Sequence, residues 1–276
     1  MAGTLYLVPT PIGNLGDISR RCRDTLAEAD FIAAEDTRVT LKLLNHLELK
    51  KPLVSYYEHN KAESGPRIAA RLLAGESCAL VTDAGSPAIS DPGEDLVALC
   101  AREGIPISAI PGPCAAVTAL SISGLPTGRF TFEGFLSSAK KSRRAHLDSL
   151  RAERRTMIFY EAPHKLCATL DDLAAAFGGD RRISLCRELT KLHEEVIRTT
   201  LDGARARYAE QPPRGEYVLV IDGAPEPEET AFTLDDALTL VAAHMAKGLS
   251  RKDAVREAAA ATGFPRNQIY DAALKL

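Results

Sequence analysis

Short apolar runs alternate with longer amphipathic stretches over the first 125 residues, at the spacing of β and α elements taken in turn. Apolar runs predict strands at 5–8, 31–34, 53–56, 79–82 and 107–110. Between them, segments such as GPRIAARLLAG and GEDLVALCAREG have helical spacing, and each is stopped by a glycine. Asn60 followed by Glu63 predicts a capping box at the start of one helix. Strict alternation of this kind predicts a parallel sheet with helices on both faces.

The texture changes near Arg129. RFTFEGFL, RTMIFYEA, RISLCREL, EVIRTTL and EYVLVID read as strands, with helices at HKLCATLDDLAAAFG and DGARARYAEQ. Several of these strands follow one another with no crossover helix, which predicts a mixed sheet. GAPEPEET (223–230) reads as a proline-rich acidic linker, and the residues beyond it as a small helical appendage. The expected fold class is therefore α/β: an N-terminal domain at 1–125, a second α/β domain at 126–223, and helices at 230–276.

Composition narrows the class. Apolar residues make up 45% of the 276 and charged residues 26%, normal for a globular protein, and the formal charge of -3 confines any nucleic-acid surface to a local patch. Cys22, Cys78, Cys100, Cys114, Cys167 and Cys186 form no C-x-x-C pair, and several lie in apolar runs. They read as reduced thiols of a cytoplasmic protein, with neither a disulfide frame nor a metal ligand set. No basic leader precedes the first apolar run, and no run approaches the roughly 18 residues of a membrane span.

Candidate chemistry lies where strands end. PTPIGNLGD (9–17), DAGSPAISDPG (83–93) and PGPCAAV (111–117) each follow a strand, and a parallel sheet brings such loops to one rim. A phosphate cradle needs consecutive backbone N–H groups. Prolines 9, 11, 87, 92, 111 and 113 each delete one while keeping a carbonyl acceptor, and no dinucleotide fingerprint or P-loop occurs. The loops suit a ligand without phosphate that carries donors or positive charge, and Asp83 and Asp91 push the same way. S-adenosylmethionine fits that description.

PTPIGNLGDIS, AAEDTR, VTDAGSPAISDPG, IPGPCAAVTAL and FYEAPHK, in this order, closely resemble the ribosomal RNA small subunit methyltransferase I family within the tetrapyrrole-methylase-like superfamily. The resemblance implies two α/β domains with S-adenosylmethionine in the cleft between them, and a homodimer. It places Pro11 and Ile12 at the cleft edge, and Gly85 and Ser86 at the superfamily's G-D-P turn, with Ile89 just after. Ser86 stands where relatives carry aspartate, so Asp83 is the alternative source of that charge. Cys114, Ala115 and Ala116 would contact the cofactor through backbone, and Phe159, Tyr160, Glu161, Gly215 and Glu216 would approach the adenosine. The implied reaction is 2'-O-methylation of a cytidine ribose in the decoding region of 16S rRNA of the small ribosomal subunit.

A ribose hydroxyl needs a general base during attack. Glu35 and Asp36 end one strand beside Arg38, with Asp36 or Thr37 equally readable as a helix N-cap. In that case Glu35 and Arg38 are the substrate contacts. His59, next to Glu58, and His164 are the other candidates, although a lone histidine is more often only a polar surface residue. For RNA, the stretch 139–155 concentrates Lys140, Lys141, Arg143, Arg144, Arg151, Arg154 and Arg155, which also reads as a solvated helix face. Arg251, Lys252, Arg256 and Arg266 fall in a helix-turn-helix-like tail, also readable as a packing hairpin. Two rival readings are methylation of a small tetrapyrrole-like substrate and a non-catalytic RNA-binding or assembly module.

Overall fold

A computed structural model of the chain describes residues 2–226 and 232–274. The chain divides into two compact units, Met1–Ala224 and Pro225–Leu276. The second half of the expected acidic linker, residues 227–230, lies outside the described residues.

The first half of the large unit alternates β1 (Leu5–Leu7), α1 (Arg20–Glu28), β2 (Phe31–Ala34), α2 (Thr37–His46), β3 (Leu53–Ser55), α3 (Lys61–Leu73), β4 (Cys78–Val81), α4 (Gly93–Arg102), β5 (Ile107–Ala109) and α5 (Ala115–Ser123). Its five strands are all parallel, in the order β3-β2-β4-β1-β5. Side chains of a strand alternate between faces, so both faces here have a core. Phe31, Ala33, Cys78 and Leu80 pack with Ile68, Leu72 and Leu96 of α3 and α4. Ile32, Ala34, Ala79 and Val81 pack with Leu26, Leu43 and Leu44 of α1 and α2. Each large side chain buried this way contributes about 1.5–3 kcal/mol. Every strand's carboxyl end therefore reaches the same rim.

The second half runs β6 (Phe130–Phe135), α6 (Lys140–Ser149), β7 (Thr156–Glu161), α7 (Pro163–Phe177), β8 (Arg182–Arg187), β9 (Glu195–Thr200), α8 (Leu201–Glu210) and β10 (Tyr217–Ile221). The sheet order is β6-β7-β10-β8-β9; β6 and β7 are parallel and the other pairs antiparallel, so the sheet is mixed as expected. One face packs on α7 and α8 through Met157, Phe159, Leu185 and Leu219. The other face, with Ile158, Cys186, Val218 and Val220, is covered by Ala116, Ala119 and Leu120 of α5. Arg198 of β9 donates to the last carbonyls of α5, at Ile122 and Ser123, where a cation offsets the helix dipole. Through α5, the parallel sheet's last crossover is fixed to the second sheet.

The expected capping box at α3 does not form. Asn60 does precede the helix, but its backbone is already helical (φ -116°, ψ -2°) and its side chain makes no cap bond. Instead Asn60 Oδ1 accepts from Tyr57 N–H and its amide donates to the Ser55 carbonyl, which closes the turn after β3. A box does occur in the smaller unit, where Thr233 and Asp236 open α9 (Leu234–Ala246). Ser250 caps α10 (Arg251–Thr262), Gly263 turns the chain at φ +74°, and α11 (Arg266–Ala273) follows. Ala237, Val241, Ala254, Val255, Ala258 and Ile269 form this unit's own core.

Candidate active site

A cavity of ≈490 Å³ opens where the rim of the parallel sheet meets the second sheet. Its walls take Ile12 from the loop after β1, Glu35 from the end of β2, Asp83 to Ser86 and Ile89 to Asp91 from the loop after β4, and Cys114 and Ala115 ahead of α5. The second sheet adds Phe135, Tyr160, Glu161, Cys186, Glu188, Leu189, Lys191, Glu216, Tyr217 and Val218. The three proline-bearing loops thus converge on one cleft.

They are also bonded to one another. Thr10 and Gly85 exchange N–H and carbonyl bonds at 2.9 and 3.0 Å, a β-bridge between the first two loops. Ser86 Oγ donates to the Pro113 carbonyl at 2.9 Å, joining the second loop to the third. Tyr160 Oη accepts from Ala116 N–H at 3.1 Å, so a side chain of the second sheet satisfies one of the unpaired donors at the start of α5. Burial pushes that phenol up to about 12.

Asp91 is occupied by its own loop. Its carboxylate accepts from Ala88, Ile89 and Gly93 N–H at 3.0, 3.3 and 2.7 Å, and holds Ala88 and Ser90 at φ +66° and +63°. Burial raises its pKa against the pull of those three donors. Asp91 is therefore a loop anchor, not the available counter-charge expected from sequence. Asp83 is different: it accepts only from Asp36 N–H at 3.1 Å, and burial, then the charge of Glu35, raise its pKa. Glu35 accepts from Thr82 Oγ1 at 2.6 Å. Glu35 and Asp83 form a carboxylate pair facing the cleft.

The other candidates separate from it. Asp36 caps α2 by accepting from Arg38 N–H at 2.8 Å, and hydrogen bonds from the Arg38 guanidinium hold its carboxyl down at about 2. Such an acid is a poor base. Asp36, Arg38, His59 and His164 are all absent from the cleft wall; His59 is exposed against Tyr57, and His164 is exposed just past Pro163. Phe159 is fully buried and belongs to the core under α7, since Ile158 and Tyr160 take the cleft side of β7. It therefore cannot touch an adenosine in the cleft. Pro11, Ala116 and Gly215 frame the walls without lining them. Glu161 is buried and bonded to Ala162 N–H and to Thr169 Oγ1.

Among the basic residues of α6 and the turn after it, Arg143 is paired with Asp172 of α7 at 2.6 Å and only 14% exposed, which removes it from the expected phosphate-contacting set. Arg144 leans on the same aspartate, and Arg151 and Arg155 pair with Asp148 and Glu153. Lys140, Lys141 and Arg154 have no carboxylate within 4 Å among the described residues.

Sequence reasoning missed the loop after β8. Glu188, Leu189 and Lys191 line the cleft, and Lys191 Nζ bridges Glu188 and Glu216 at 2.9 and 2.8 Å. The available signal was the charge-dense RELTK directly after the apolar run ISLC. A larger groove of ≈650 Å³ lies beside Arg187, His193, Glu195, Arg207 and Arg214, but it contains no rim-loop residue.

Residues 4–204 match the family model of tetrapyrrole (corrin/porphyrin) methylases, and residues 233–276 the model of an RsmI C-terminal HTH domain. The chain is 48% identical to the ribosomal RNA small subunit methyltransferase I of Synechocystis, over 99% of this chain and 98% of that protein. The chain belongs to the ribosomal RNA small subunit methyltransferase I family. The Halalkalibacterium halodurans member is also 48% identical, over 98% and 94% of the two chains. Among solved structures, a Thermus thermophilus uroporphyrin-III C-methyltransferase complexed with S-adenosylhomocysteine superposes with a TM-score of 0.54 over 80% of this chain and 97% of that one, at 17% identity. Family membership and fold therefore agree with the resemblance carried by the five ordered motifs.

Proposed function

We propose that the chain is an S-adenosylmethionine-dependent methyltransferase that methylates the 2'-hydroxyl of a cytidine ribose in 16S rRNA of the small ribosomal subunit. The observation that carries this reading is the hydrogen-bond chemistry of the rim. Prolines remove six amides from its loops, and five of the rest, at Thr10, Gly85, Ala88, Ile89 and Gly93, are already bonded within the loops. That thins out the consecutive amides a phosphate nest needs, while carboxylates and carbonyls remain for a cationic nucleoside. The volume is that of a small-molecule site, and Ile12, Ile89, Leu189 and Val218 supply apolar walls.

Bound there, S-adenosylmethionine supplies an electrophilic methyl group. The residues of this chain do the rest. Ile12, Ala115, Leu189 and Val218 would hold the nucleoside, and the loop anchored by Asp91 keeps Ile89 against it. Glu35 and Asp83 face the cleft with no cationic side chain bonded to them, and Asp91 and Glu161 are taken up by loop amides and by Thr169, so Glu35 and Asp83 would accept the ribose proton. The raised pKa of Asp83 makes it a better acceptor than an ordinary carboxylate. Lys140 and Lys141 would meet RNA phosphates, and the Arg251 and Lys252 end of α10 would add contacts from the smaller unit. The relatives named as small-subunit rRNA methyltransferases support the substrate class. A homodimer is part of the same proposal.

The test is to incubate the protein with labelled cofactor and either small ribosomal subunits or porphyrinogens, then map the methylated riboses. Label at one cytidine 2'-oxygen, lost in Glu35→Gln with Asp83→Asn and kept in His59→Ala and His164→Ala, is the expected result. Label on the porphyrinogen, or none on any RNA, contradicts the proposal.

A further inference from the structure

We propose that Lys191 is the residue that seats the carboxylate of the cofactor's amino-acid end, exchanging its contact with Glu216 for that of the ligand. This rests on the cofactor reading above and assigns one more contact within the same cleft.

The first argument is charge. The described residues of the cleft wall include six carboxylates, Glu35, Asp83, Asp91, Glu161, Glu188 and Glu216, and one cation, Lys191. The proposed ligand carries two positive groups and one negative one. Acidic walls suit the positive groups, and the negative one has a single cationic side chain to meet. Several rim amides are already committed: loop carbonyls hold those of Thr10 and Gly85, and Asp91 holds those of Ala88, Ile89 and Gly93. A charged amine against a carboxylate, away from bulk water, is among the stronger polar contacts a protein makes.

The second argument is the effort the fold spends on placing this side chain. The segment that carries it is held in left-handed backbone at two non-glycine residues, Glu188 at φ +52° and Thr190 at φ +66°. Strain of this kind persists only where the surroundings over-determine it, and it clusters at functional sites. Here two glycines on either side make the room. A Cβ on Gly13 would stand 2.5 Å from Lys191 Cγ and 2.9 Å from Thr190 Oγ1, and one on Gly215 would stand 2.5 Å from Glu188 Cγ. Gly13 belongs to the first rim loop and Gly215 to the approach to β10, so both halves of the unit close on the strap. The Thr190 hydroxyl is buried there with no partner, which is a poor arrangement for stability alone.

Lys191 is also partly buried, which alone would lower its pKa. Its hydrogen bonds to Glu216 and Glu188 outweigh that and keep the amine protonated. Glu216 is 81% exposed at its side chain, so the ion pair to it is weak and readily exchanged, whereas Glu188 is largely buried and keeps its place.

Calorimetric titration separates this role from others, using S-adenosylhomocysteine and its decarboxylated analogue against wild type, Lys191→Met and Lys191→Arg. Wild type should prefer the carboxylate-bearing ligand by about tenfold or more, the range of one charge-assisted hydrogen bond. Lys191→Met should lose that preference while binding the analogue as wild type does, and Lys191→Arg should retain it. If Lys191→Met keeps the preference, or weakens both ligands equally, Lys191 does not meet the carboxylate. If wild type binds neither ligand, the cofactor reading itself fails, and that outcome is distinct from the other two.

Discussion

Replacing Asp91 with alanine should loosen the cleft far more than it destabilises the protein. The carboxylate accepts three backbone N–H bonds, from Ala88, Ile89 and Gly93. Hydrogen bonds to a charged group are each worth about 1.5–3 kcal/mol, so their gross loss is roughly 3–6 kcal/mol once the long Ile89 contact is discounted. Against this, Ala88 and Ser90 sit at φ +66° and +63° because Asp91 holds them there. Left-handed backbone costs roughly 1–2 kcal/mol per residue, and a released loop recovers that. The net destabilisation is therefore about 1–2 kcal/mol. Cofactor binding must then restore both left-handed residues of the loop that carries Ile89, at roughly 2–4 kcal/mol, so affinity falls by about thirtyfold or more. Urea unfolding followed by tyrosine emission measures the first quantity, since the chain has no tryptophan and six of its seven tyrosines lie in the larger unit. Titration with S-adenosylhomocysteine measures the second. A variant with unchanged affinity, or one that loses stability and affinity in equal measure, would refute the anchoring role.

Two further outcomes follow from the charges. The Asp36 carboxyl, bonded to Arg38, should titrate near 2 by NMR, and Arg38→Ala should move it toward 3.8. A depressed carboxyl contributes stability above its unfolded pKa and loses it as pH falls through the folded value, so the cap on α2 should weaken only in strong acid; a wild-type midpoint near 3.8 contradicts the pair. Neutralising Lys140 and Lys141 should reduce the slope of log affinity for rRNA against log salt by about 1.4–1.8, since each neutralised phosphate contributes about 0.7–0.9. Neutralising Arg144, which leans on Asp172, should change it less, and an unchanged slope in the double lysine variant removes α6 from the RNA surface.

The first sheet could be read from sequence because strands buried on both faces are unbroken apolar runs, as CALV and FIAA are, and because Gly75 and Gly104 follow the ends of α3 and α4. The convergence of the proline loops followed from parallel topology alone. Phe159 shows what does not follow. Period-two alternation splits FYE into two faces, but which face meets the cleft depends on where α5 and α7 pack. Asp91 and Arg143 were misjudged for a shared reason: charge is visible in sequence, whereas the partner that occupies it, three loop amides or Asp172, is a product of folding. The charges around Lys191 were visible in sequence, but its place in the cleft was not, because that depends on left-handed backbone at Glu188 and Thr190, which no residue type there announces.

The most direct test is to locate S-adenosylhomocysteine in crystals of the protein. The account predicts its nucleoside between Ile12, Ala115, Leu189 and Val218, with Ile89 against it and its sulfur toward Glu35 and Asp83. Ligand density in the arginine-lined groove beside Arg187 and Arg207 instead, with the rim loops bare, would contradict it.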